Sequence, residues 1–172
     1  MAVLITGLLL FSCNNNEQKP AVEKQRIFPD YHFALDSIIR TTNGTVSGVE
    51  LGDHKSKILA NEIKDAVEND ATHLTYEEVI DSITKYNITY SFENDTISEI
   101  EILITSQNAD EGVQILNDLK NYYRLKYTAP LMDKGYFVYN CFDSKKKNFV
   151  ITITDNSGAS NSVIDMYVYR EK

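Results

Sequence analysis

The chain has 172 residues, a formal net charge of −8 and 42% hydrophobic residues. That length suits one domain of ordinary size, and the apolar share excludes a chain disordered throughout. The acidic balance argues against a nucleic-acid partner, because phosphate binding needs clustered Lys and Arg, and the basic run Lys145-Lys146-Lys147 reads as a solvated turn between two strand-like segments.

In chain order, the first element is an apolar run over residues 2–11, broken by Thr6 and Gly7. A bilayer core needs about 20 such residues in a helix, so this run is too short to span it. Its length suits the apolar stretch of a signal peptide. It ends in Leu10-Phe11-Ser12-Cys13. These four residues resemble the lipobox of bacterial lipoproteins, with Leu three before the cysteine and a small residue directly before it. Phe11 is bulkier than the residue common at its place, and no Lys or Arg precedes the run.

The resemblance implies diacylglycerol on the Cys13 sulfur, cleavage between Ser12 and Cys13, and acylation of the new amino group. Residues 1–12 are then a signal peptide. Residues 13–26 are a lipidated flexible tether, polar with few apolar side chains and carrying Asn14-Asn15-Asn16 and Pro20. Residues 27–172 are a single domain. No Asp follows Cys13, so by analogy with enteric lipoproteins the expected location is the outer membrane of the bacterial envelope, facing the periplasm or the surface.

The stretch 28–42 mixes aromatic and apolar residues without a clear period. Residues 45–51, with Val46, Val49 and Leu51 among glycines, predict a short bent strand. Ile58, Leu59, Ile63, Ala66 and Val67 predict a helix over 53–68, with Asp53 as its cap. A second helix is predicted over 74–86, from a Thr75/Glu78 capping box and the stripe Val79, Ile80, Ile83. Ile88, Tyr90 and Phe92 alternate, Asn94-Asp95 turns the chain, and Ile100, Ile102 and Ile104 alternate on the return. Residues 110–126 predict a helix through Val113, Leu116, Leu119 and Tyr123, with Pro130 beyond its end. Strands are predicted over 136–142, 149–154 and 163–169.

Together these elements predict an α+β fold: an antiparallel sheet of about five to six strands with two to three helices on one face. Each half reads as helix followed by meander. That order is similar to the α+β lipoproteins related to the β-lactamase inhibitor protein fold and to the small lipoprotein of the outer-membrane β-barrel assembly machinery. Ser47-Gly48-Val49-Glu50-Leu51-Gly52 is similar to the glycine-containing entry of that group. Tyr127–Pro130 is similar to a Tyr-Gly-x-Pro exit, with Thr128 in place of Gly. These short matches assign no binding residue.

His32, His54 and His73 lack His-x-x-x-His spacing, and there is no Cys-x-x-Cys, so no metal or cofactor is expected. Asp155-Asn156-Ser157-Gly158 lacks the alternating carboxylates of a calcium loop. No nucleophile motif or phosphate loop occurs, which disfavours an enzyme. Cys141 has no partner once Cys13 is lipidated, and reads as a small buried hydrophobe.

Tyrosines crowd the C-terminal half, and Tyr136, Tyr139, Tyr167 and Tyr169 form the candidate interaction face. Asp36-Ser37-Ile38, Asp81-Ser82-Ile83 and Asp95-Thr96-Ile97 resemble the O-glycosylation motif of exported proteins in one Gram-negative phylum, with Thr96 and Ser37 the better candidates.

The expected function is that of a membrane-anchored envelope lipoprotein, held through lipid on Cys13. Its domain is expected to be a non-catalytic module that binds an envelope protein or another envelope component. One alternative is a glycan-binding or glycan-hydrolysing lipoprotein using tyrosines with Glu99 and Glu101. Another is an inhibitor or immunity-type lipoprotein.

Overall fold

A computed structural model describes residues 26–62 and 64–171. The lipobox, Cys13 and all of the tether before Arg26 lie outside the described residues, as does Ile63. The chain forms α1 (Ala34–Ile39), α2 (Lys55–Asn61), β1 (Glu68–Asn69), β2 (His73–Val79), β3 (Thr84–Glu93) and β4 (Thr96–Ser106). It continues through α3 (Ala109–Lys126), β5 (Leu131–Asp133), β6 (Tyr136–Phe142), β7 (Asn148–Asp155) and β8 (Ser162–Tyr169).

The strands make one antiparallel sheet of eight, ordered β1-β2-β3-β4-β8-β7-β6-β5. This corrects the expectation of an α+β fold with five to six strands: the molecule is β-rich, with three helices among the described residues. The predicted helix over 74–86 is strand β2, a turn and the start of β3. Leu74 and Tyr76 are buried while Val79 and Ile83, two of the three residues of the supposed helical stripe, are exposed. The predicted helix over 53–68 ends at Asn61, and its N-cap is His54 rather than Asp53. Residues 45–51 form a tight turn closed by a bridge between Val46 and Val49, with Ser47 and Gly48 both at positive φ.

Alternation builds the inner face of the sheet. Leu74, Tyr90, Ile100, Val168, Ile151 and Tyr139 line up across β2, β3, β4, β8, β7 and β6, and all are buried. Branched and aromatic side chains fit this pleated surface. The β3–β4 turn at Asn94-Asp95 has positive φ at both residues, the backbone of a two-residue hairpin turn whose twist matches the strands.

Helix α3 covers this face. Asn108 caps it by accepting from the N–H groups of Asp110 and Glu111, and Arg124 and Lys126 sit at its negative end. Its buried stripe is Ile115, Leu116, Leu119, Tyr122 and Tyr123. Gly112 permits the approach to β8, since a Cβ there would lie 2.0 Å from the Ser162 side chain. Helix α1 packs on α3, and Tyr123 donates to the Thr45 carbonyl at 3.2 Å.

Candidate ligand cleft and outer sheet face

Helix α1 ends at Arg40, whose φ of 60° is the left-handed value that usually favours glycine at a helix exit. A non-glycine residue there costs on the order of 1 kcal/mol, so its surroundings must compensate. They do so with four acceptors. The guanidinium donates to the Ser37 carbonyl (3.2 Å), Glu62 (2.5 Å), Glu78 (3.3 Å) and the Tyr86 hydroxyl (3.1 Å). Tyr86 in turn donates to the Ser37 carbonyl at 2.8 Å. Lys64 pairs with the second oxygen of Glu78. Burial pushes the Tyr86 phenol above its ordinary range, with Arg40 pulling the other way.

This network is the floor of a cleft of about 630 Å³, lined by α1, the segment after α2, the ends of β2 and β3, and residues 26–27. Ile27, Phe33 and Val79, all exposed, stand around its opening. Three cations (Arg26, Arg40, Lys64) face three anions (Asp36, Glu62, Glu78). Burial works to raise the Asp36 carboxyl, but the Arg26 side chain and the N–H groups of Phe28 and Ile27 hold it below the usual carboxylate range. A lining balanced in charge and rimmed by apolar side chains suits a ligand with an apolar part and little net charge.

Behind Arg40 and Asn61 lies a smaller cavity of about 380 Å³, lined also by Thr41, Asn43, Ser47 and Gly48. The buried Tyr90 hydroxyl makes no hydrogen bond of ordinary geometry among the described residues, and the Ser47 hydroxyl is the neighbour that works against the effect of burial on its phenol.

The outer face of the sheet carries Tyr136, Tyr167 and Tyr169. Tyr139 points the opposite way and is fully buried, donating to the Lys120 carbonyl of α3. The four tyrosines therefore do not share a face. Tyr167 donates to Glu101 at 2.8 Å, and that bond pushes its phenol up to about 12. Glu99, paired in register with Tyr169, lies on the same open face. Phe142 is 64% exposed and Tyr136 45% exposed on β6.

The remaining candidates are dispersed. Ser37 is half-buried in α1 and lines the cleft. Thr96 is half-buried at the start of β4 and donates to the Glu93 carbonyl. Ser82, expected inside a helix, sits exposed in the β2–β3 turn. Cys141 is buried, which pushes its thiol up to about 12. His32 lies 3.9 Å from Glu111, and His73 is the first residue of β2.

Protein-family models, curated proteins and solved structures give no match to this chain. Among the described residues, no helix is long and apolar enough to cross a membrane. The sequence reading missed the cleft. Arg40, Glu62, Glu78 and Tyr86 are spread along the chain without a motif, and only the folded sheet edge brings them together.

Proposed function

We propose that the protein is a membrane-anchored lipoprotein of the bacterial envelope, held by lipid on Cys13, with a non-catalytic binding domain. The support for the anchor is Leu10-Phe11-Ser12-Cys13 after a short apolar run. The observation that carries the binding reading is the Arg40 cleft, where three exposed apolar side chains surround one opening above a fixed charged floor. Concave sites that combine apolar walls with a few oriented polar groups are the usual seats of ligands.

Photo-crosslinking in native membranes tests this. A photoreactive residue at Phe33 or Val79 should give a discrete adduct, and one at Thr105 on the outer face should not. Equal patterns at all three positions, or none, would remove the cleft from the reading. A Cys13→Ser variant that still fractionates with membranes would remove the anchor.

A second reading, glycan binding on the outer face, is favoured by the exposed rings of Tyr136 and Phe142 beside Asn140. Titration of native tyrosine fluorescence with envelope glycans should then respond in the wild type and not in Tyr136→Ala.

A further inference from the structure

We propose that the β1–β2 hairpin is a surface site for a divalent transition-metal ion of the zinc type, held by Glu68, Asp70 and His73. One donor atom from each of these three side chains lies within 4.8 Å of the others. The three come from six consecutive residues, because the hairpin folds Glu68 of β1 back beside Thr75 of β2. The turn is closed by the Asp70 N–H donating to the His73 carbonyl at 3.0 Å.

Both carboxylates are oriented by bonds that leave an oxygen over. Asp70 uses Oδ1 to accept from the Thr72 N–H (2.7 Å), the Thr72 hydroxyl (3.0 Å) and the His73 N–H (2.7 Å). Glu68 uses Oε2 to accept from the Thr75 hydroxyl at 3.0 Å, and Thr75 is itself bonded to Thr89 across β2 and β3. Outer partners of this kind fix ligand orientation in metal sites.

The imidazole is what distinguishes this cluster from an acidic patch. His73 Nδ1 lies 3.8 Å from Asp70 Oδ1, the oxygen already engaged by Thr72 and the His73 N–H, and 3.0 Å from the Thr72 hydroxyl. Zinc bonds of about 2.0–2.2 Å place tetrahedral ligands roughly 3.3–3.6 Å apart. Zinc would draw the donors in from within 4.8 Å of one another, and the Thr72 hydroxyl would give up His73 Nδ1. One nitrogen and two carboxylate oxygens suit zinc, while calcium and magnesium demand six or more oxygens. Water completes the fourth position. Lys55 donates to the Asp70 carbonyl at 2.6 Å and is the cation that opposes a metal there.

Calorimetric titration of the full chain with zinc tests the site, in a Cys13→Ser background so that this thiol does not compete. One zinc per chain is expected. His73→Ala and Glu68→Gln should each weaken binding by at least about tenfold, the scale that even outer-shell partners carry, while His54→Ala should not. Zinc should shift the His73 ring signals in NMR and leave those of His32. No saturable binding, wild-type affinity in His73→Ala, or calcium binding as tightly as zinc would each overturn the proposal. Unchanged circular dichroism in the variants separates lost ligation from lost fold.

Discussion

At the β2–β3 end of the inner layer, Arg40, Glu62, Glu78 and Tyr86 bury formal charge. At the β6–β7 end, Tyr122, Tyr123, Tyr127, Tyr139 and Phe149 pack edge to face, stacked or tilted, and bury mainly aromatic rings, with the half-buried Lys126 ammonium over two of them. There the hydroxyls of Tyr123 and Tyr139 each donate to a backbone carbonyl. Charges lose far more hydration than hydroxyls do, so the two ends differ in what happens when one partner goes. At the charged end a deletion strands an ion. At the phenolic end it strands a carbonyl that still has other lone-pair options.

The largest effect is expected from Arg40→Ala. The Glu62 side chain is 4% exposed and would lose its nearest cation, while Arg40 is itself 28% exposed. The expected loss is about 3 kcal/mol, the lower end for a broken buried pair. Urea denaturation checks it, and the double replacement Arg40→Met with Glu62→Leu should recover most of the loss. The contrast between the two ends fails if Arg40→Ala costs no more than Tyr123→Phe.

Tyr123→Phe is expected to cost about 1–2 kcal/mol, from the unmade bond to the Thr45 carbonyl. Tyr90→Phe should go the other way. It removes the one hydroxyl among the described residues that is buried without a partner, for a gain of up to about 1 kcal/mol. A loss instead would mean that Tyr90 is bonded in solution.

The smallest effect concerns acid. Burial works to raise the Asp36 and Asp143 carboxyls, but the guanidiniums of Arg26 and Arg170 and nearby backbone N–H groups hold both below the ordinary range. Folded values lower than unfolded ones stabilise the fold above the ordinary carboxylate value of about 3.9. That contribution is lost as pH falls through the folded values. Arg170→Ala should therefore flatten the decline in urea midpoint below pH 4, and an unchanged slope would remove Asp143 from the account.

Much of the fold is legible where a period runs long enough. The alternation in β3, β4 and β6–β8 and the stripe of α3 each repeat over three or more positions. Strand β2 defeats this reading because its polar Thr75 and Glu78 imitate a capping box, and its own inward signal is only Leu74 and Tyr76. Strands β1 and β5, at two and three residues, are too short to have a period. The tyrosine face was half legible. Tyr167 and Tyr169 are two apart and share a side, whereas Tyr136 and Tyr139 are three apart, and a strand sends such residues to opposite sides. The cleft was not legible, since ion pairs between distant segments leave no mark on either segment alone.

The brevity of β1 and β5 bears on how this molecule behaves in a crowd. A sheet of eight strands is a polymer of backbone ladders, and each terminus is a place where another chain can add. Here both termini are stubs, and Pro130, which has no N–H to offer, stands directly before β5. Growth on either stub would gain few hydrogen bonds, though β1 covers only Leu74 and Thr75 of β2 and β5 only Tyr136–Val138 of β6. At the stubs themselves the sheet is thus chain-terminated by its own sequence, even though Leu131 and Met132 on β5 are exposed and sticky.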